Sequence, residues 1–129
     1  MTLEEFVVAS LEDKSLDDFM EFDLPQKAIE KAWKLKFIDL RGYKCVIRSR
    51  EIRHVYNEHG DDVYLINDIC KLLESFWHIE RSVVEDEKTK KPVTSIVFKK
   101  RTNTNEIKIV KTNLSRKKIL RLKTLFVME

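Results

Sequence analysis

Two histidines and two carboxylates share the segment Ser49–Gly60, which reads Ser-Arg-Glu-Ile-Arg-His-Val-Tyr-Asn-Glu-His-Gly. Imidazole gives and takes protons near neutral pH, so His54 and His59 are the first candidates for acid–base chemistry. On a helix, Ile52, Val55, Tyr56 and His59 recur at i, i+3, i+4 and i+7 and form one stripe. His54 and Glu58 lie together on the opposite side. His59 then belongs to the packed face or its rim, at a helix C-terminus, where the dipole favours imidazolium. The two imidazoles are i, i+5, about 140° apart around the axis, so they do not share a zinc ion. The same residues also fit structural roles. His54 with Glu58 can be an exposed i, i+4 pair, and His59 can be a helix-end histidine bonded to backbone.

The second candidate site is Ile107-Lys-Ile-Val-Lys-Thr112. Strand alternation sets Lys111 on a face with Ile107 and Ile109, and Thr112 on the other with Lys108 and Val110. An ammonium and a hydroxyl side by side at a strand end can hold a phosphate. A lysine whose stem snorkels past the core edge has the same pattern. Lys99, Lys100 and Arg101 on the preceding run extend the positive surface, and Lys108, Arg116 and Lys117 continue it. Trp33, Phe37, Trp77 and Phe98 sit in apolar patterns and are expected in the core. The sequence has no glycine-rich phosphate loop, no Ser-His-Asp pattern, no paired-carboxylate motif and no metal-ligand spacing, so neither a metal nor a cofactor is expected.

These candidates need elements to hold them. Thr2 can cap a helix over Leu3, Phe6, Val7 and Leu11. Ser15 and Asp18 suggest a second helix start carrying Leu16, Phe19 and Met20, and Pro25 opens a third from Gln26 to Leu35. Phe37–Leu40 and Tyr43–Ile47 read as a hairpin around Arg41-Gly42. Ser49 caps a helix through His59, with Gly60 as its C-cap residue, and a further helix is expected from Asp62 to Phe76. Ile79–Asp86, Val93–Arg101 and Glu106–Thr112 are strand-like, and their short polar links predict an antiparallel meander. From Ser115 onward a helix with Ile119, Leu122 and Phe126 competes with a final strand over Leu122–Val127, and the helix is favoured.

A length of 129 residues suits one domain, with a helical part over 1–36 and an α+β part over 37–129. No apolar run approaches the roughly 20 residues that span a bilayer, and the start of the chain lacks a secretory pattern, so no membrane association is expected. Cys45 and Cys70 fit no disulfide framework and are expected as buried thiols in a reducing, cytoplasmic setting. Net charge is +3, yet residues 1–23 carry eight acids and one base, and residues 88–123 carry thirteen bases and one acid. This asymmetry points to a polyanion-facing surface at one end and an acidic patch at the other, or to two faces that pair with each other.

Over residues 40–125 the chain resembles the phage-associated branch of the barnase–EndoU–colicin–RelE-like nucleases. The resemblance rests on the strand Tyr43–Ile47, on Ile52, His54, Val55, His59 and Gly60, on the apolar helix ending at Leu72–Trp77, and on Lys111-Thr112. It departs from the family where Phe76-Trp77 replaces a proline, and where Lys111 replaces an arginine and so cannot bind phosphate in bidentate fashion. The implied fold is α+β, with N-terminal helices followed by a helix-backed four-stranded antiparallel sheet. The implied activity is metal-independent endonucleolytic cleavage of RNA, tRNA included, by attack of a ribose 2′-OH, in a toxin or phage-associated module. Its implied partners are RNA and a cognate immunity or antitoxin protein. His54 or His59 would move protons, Lys111 would stabilise charge and Thr112 would position phosphate. The alternatives are a non-catalytic nucleic-acid-binding module and an immunity or adaptor protein whose acidic helices meet a basic partner.

Overall fold

A computed structural model of the chain describes residues 1–128. Thr2 starts helix α1 (Leu3–Glu12) with a reciprocal capping box: its hydroxyl accepts from Glu5 N–H at 3.1 Å, and Glu5 accepts from Thr2 N–H at 3.0 Å. Strand β1 (Phe19–Asp23) follows, then α2 (Gln26–Lys36), β2 (Lys44–Arg48) and α3 (Ser49–His59). A 3-10 segment (Gly60–Asp68) leads into the short α4 (Ile69–Glu74). Strands β3 (His78–Glu85), β4 (Pro92–Arg101), β5 (Ile107–Arg116) and β6 (Ile119–Met128) complete one six-stranded sheet in the order β1-β2-β6-β5-β4-β3. All neighbours are antiparallel except β2 and β6, which run parallel.

The α+β class and the β3–β4–β5 meander agree with the sequence reading, but the sheet has six strands rather than four. Two segments expected as helices are strands. Phe19-Met-Glu-Phe-Asp23 alternates and pairs with β2, because Ser49 fixes its entry: Ser49 N–H and Oγ both donate to the Asp18 carbonyl, and Oγ accepts from Asp18 N–H. The C-terminal run is β6, not a helix. Strand β5 continues through Ser115 to Arg116, and Lys118 turns the chain back with a positive φ of 61°. A bulge opposite Lys111 and Thr112 then lets Leu120, Leu122 and Leu125 all enter the core.

Two further expectations change. Phe37–Leu40 forms no strand, since Phe37 ends α2 in the left-handed region at φ 55° and β2 pairs with β1 and β6 instead. The helix expected over 62–76 is mostly 3-10 geometry and becomes α-helical only at Ile69. Gly60 ends α3 and opens the 3-10 segment, with φ 58° and ψ −130°, a conformation that favours glycine.

Ile79, Phe98, Val110 and Leu125 stand in one row across β3, β4, β5 and β6, and all four are buried. Phe6 and Val7 of α1, Ala28 and Ala32 of α2, Ile52 and Val55 of α3 and Leu73 of α4 share this core. Phe98 is buried as expected. Trp33, Phe37 and Trp77 are exposed instead, as is Tyr56, although the helical stripe points it inward. Cys45 is buried and Cys70 exposed. Burial pushes the Cys45 thiol up to about 12. Among the described residues no helix is long and apolar enough to cross a membrane.

Candidate nucleic-acid groove

Helix α3 begins directly after β2, so the last side chain of the strand and the first turn of the helix are held together. There Arg48 donates to Glu51 Oε1 from Nε at 3.0 Å and from Nη2 at 2.8 Å. Arg121 of β6 brings its Nε to 3.3 Å from the same oxygen, and the Arg50 Nε stands 3.9 Å from Oε2. The Glu51 side chain is only 12 % exposed, and its Oε2 has no hydrogen-bond partner. A buried carboxylate needs such pairing, because desolvation of a lone charge costs several kcal/mol.

This cluster opens into a groove of about 930 Å³. One side is the polar stripe of α3, where Arg50, Arg53, His54 and Asn57 recur at i, i+3, i+4 and i+7. Asn113 and Arg121, paired in register on β5 and β6, contribute sheet side chains. Asn113 Oδ1 is also buried without a partner, so two acceptors lie without hydrogen bonds beneath the groove surface. The opposite lip is the end of the β3–β4 hairpin, where Glu85, Asp86 and Glu87 outnumber Lys88. The groove therefore has an arginine-rich side and an acidic lip.

Arg53 is already engaged. Its guanidinium donates to the carbonyls of Ser10 and Leu16 at 3.1 and 3.0 Å, and to that of Asp13 at 3.3 Å. It satisfies a carbonyl at the end of α1 and ties down the loop into β1. The free guanidinium capacity of the groove rests with Arg48, Arg50 and Arg121.

The four sequence candidates for catalysis fall into three environments. His54 lines the groove, half exposed, with its Nε2 3.2 Å from Glu58 Oε1. His59 does not. Its ring stacks on Phe126 at 4.6 Å between centroids, and its Nε2 is 3.8 Å from Glu58 Oε2. Lys111 also meets the Phe126 ring, with Nζ 5.4 Å from the centroid. His59 and Lys111 thus approach one aromatic ring rather than an open phosphate-sized cleft. Thr112 is buried, and its hydroxyl donates to the Ile96 carbonyl at 2.8 Å. That bond leaves Thr112 holding β4 to β5, away from any phosphate.

The six basic residues expected on the nucleic-acid surface are split as well. Lys100 and Lys108 face each other across β4 and β5. Lys99 alternates to the other side and pairs with Glu80 at 3.3 Å, and Arg101 lies 4.9 Å over the exposed Trp77 ring. Arg116 and Lys117 stand at the far end of β5, about 25 Å from Lys108 at the usual strand rise. None of the six lines the groove.

Arg48, Glu51, Asn113 and Arg121 are not among the sequence candidates. The Arg-x-x-Glu spacing at 48–51 and the polar stripe of α3 are the visible signals for the first two. Arg121 stays hidden as long as its segment reads as a helix. Compared with protein-family models, curated proteins and solved structures, the chain matches none of them.

Proposed function

We propose that the protein is a metal-independent endoribonuclease that takes an RNA strand into the α3 groove. The observation that carries this reading is the convergence of Arg48 and Arg121 on the partly buried Glu51, with His54 on the same groove wall. Guanidinium forks match phosphate oxygens, and in a partly dry site they stabilise charge that grows during displacement at phosphorus.

The chemistry needs no cofactor. The Glu51 carboxylate takes the proton of the ribose 2′-OH as that oxygen bonds to the adjacent phosphorus. His54 gives a proton to the departing 5′ oxygen as the P–O bond breaks. The products are a 2′,3′-cyclic phosphate and a 5′-hydroxyl. Arg48 and Arg121 donate to the non-bridging oxygens, and the acidic lip accepts from base amino groups.

Incubation with RNA in excess EDTA tests this reading. Fragments ending in 2′,3′-cyclic phosphate are expected from the wild-type protein and not from Glu51→Gln. Salt-sensitive RNA binding without any fragment would replace the nuclease by a binding module.

A further inference from the structure

Strand β3 is one edge of the sheet, and every residue from Glu80 to Glu85 is exposed, Val83 at 64 %. Exposed edges are ordinarily blunted by proline, a bulge or charged side chains, lysine above all. Strand β3 contains no proline and no lysine, and its register with β4 is unbroken from His78 to Glu85.

The hydrogen-bonding sense of this edge follows from the hairpin. Asp86 N–H donates to the Lys91 carbonyl at 2.9 Å, which makes Asp86 and Lys91 a closely bonded pair. Such pairs alternate along an antiparallel ladder. Val84 with Val93, Ser82 with Ser95 and Glu80 with Val97 therefore bond across β3 and β4. Pro92, which has no N–H, falls opposite Glu85 at a non-bonded pair. Arg81, Val83 and Glu85 turn their N–H and C=O groups outward, unpaired.

We propose that this edge is a homodimer interface, in which a second copy adds its own β3 antiparallel about a two-fold axis at Val83. In that register Val83 meets Val83 of the second copy, and Arg81 stands opposite Glu85 of the second copy, twice by symmetry. All three pairs join residues whose backbone groups point outward, so each supplies two backbone hydrogen bonds. Neighbouring registers lose the match. Centring on Arg81 opposes two arginines and centring on Glu85 opposes two glutamates. Centring on Ser82 sets Arg81 against Val83. Cross-strand opposite charges stabilise a pair and like charges destabilise it. The two-fold axis runs through the sheet, so the two grooves, each lined in part by Val84 and Glu85, open on the same side of a continuous sheet.

Sedimentation velocity without RNA, from micromolar to near-millimolar protein, tests the dimer separately from the nuclease reading. A reversible monomer–dimer equilibrium is expected for the wild type. Arg81→Glu and Glu85→Arg should each weaken the dimer by about tenfold or more, since both symmetric pairs turn from attraction to repulsion. The double variant Arg81→Glu/Glu85→Arg should restore it, which excludes unfolding as the cause of the single losses. A wild type that stays monomeric over the whole range overturns the proposal. So does a dimer indifferent to either single change, or a double variant no stronger than the singles.

Discussion

Glu51 has one oxygen held by Arg48 and Arg121 and the other without a hydrogen bond. Neutralising it separates two roles. Glu51→Gln should lower RNA cleavage about 100-fold or more, the scale of a lost proton-transfer group, while RNA binding persists. His54→Ala should fall by a similar factor, whereas His59→Ala should cost less than about tenfold, because His59 packs on Phe126 outside the groove. Single-turnover rates check all three. The cysteines make a further prediction. The buried Cys45 thiol is pushed up to about 12, and Cys70 is exposed. A thiol reagent at mildly alkaline pH should label only Cys70 in the native protein, and both cysteines in denaturant. Stability should be full below the ordinary thiol value and fall as pH rises from there toward about 12, because the unfolded Cys45 ionises first. Equal native labelling of both thiols would contradict the packing at Cys45.

At the scale of elements, Arg53 links α3 to the end of α1 and to the loop before β1 through the carbonyls of Ser10, Asp13 and Leu16. Arg53→Ala should destabilise the protein by about 2–3 kcal/mol, measured by urea unfolding, since it strands part-buried carbonyls. A change under about 0.5 kcal/mol would mean that the loop holds without it. The elements also show what a sequence can and cannot reveal. Helix α3 is legible from the Ile52–Val55 stripe and Gly60, although Ser49 does not cap it: Arg48 holds the cap position without a side-chain bond, and the Ser49 hydroxyl donates to the Asp18 carbonyl instead. The meander is legible because polar turns separate β-branched runs. Strand β1 is not, because Ser15 and Asp18 imitate a helix cap, while the feature that decides, Ser49 bonded to Asp18, lies 31 residues away. Strand β6 reads as a helix because a bulge breaks its alternation, leaving Leu122 and Leu125 at helical spacing. Without β6, Arg121 is hidden too, and with it the half of the charge cluster that Arg48 and Glu51 do not show alone.

Across the whole molecule, the basic residues of the second half do not form one surface. Lys99 and Arg101 are tied to Glu80 and Trp77, and the length of β5 separates Arg116 and Lys117 from Lys108. Part of the acidic N-terminal charge is answered within the chain, since Lys44 pairs with Glu21 at 3.2 Å and with Asp23 at 3.9 Å. Polyanion affinity should therefore centre on the groove. Reversing Arg50 and Lys123 together should weaken RNA binding and flatten its salt dependence, by a slope of about 0.7 for each single-strand phosphate no longer neutralised. Reversing Lys100 and Lys108 should change the slope less. Fluorescence titrations at several salt concentrations compare the two.

In the proposed reaction, RNA is cut in the α3 groove by Glu51 and His54 against Arg48 and Arg121. Cleavage of an end-labelled RNA in EDTA under single-turnover conditions, with Arg121→Ala beside the wild type, tests it most directly. Arg121 reaches Glu51 from β6, a strand outside the Ser49–Gly60 segment, so only the folded groove joins them. Wild-type fragments bearing 2′,3′-cyclic phosphate are expected, with a rate about 100-fold lower in Arg121→Ala, the scale of a removed oxyanion donor. An Arg121→Ala protein that cuts at the wild-type rate, or a wild type that leaves the RNA whole, would contradict it.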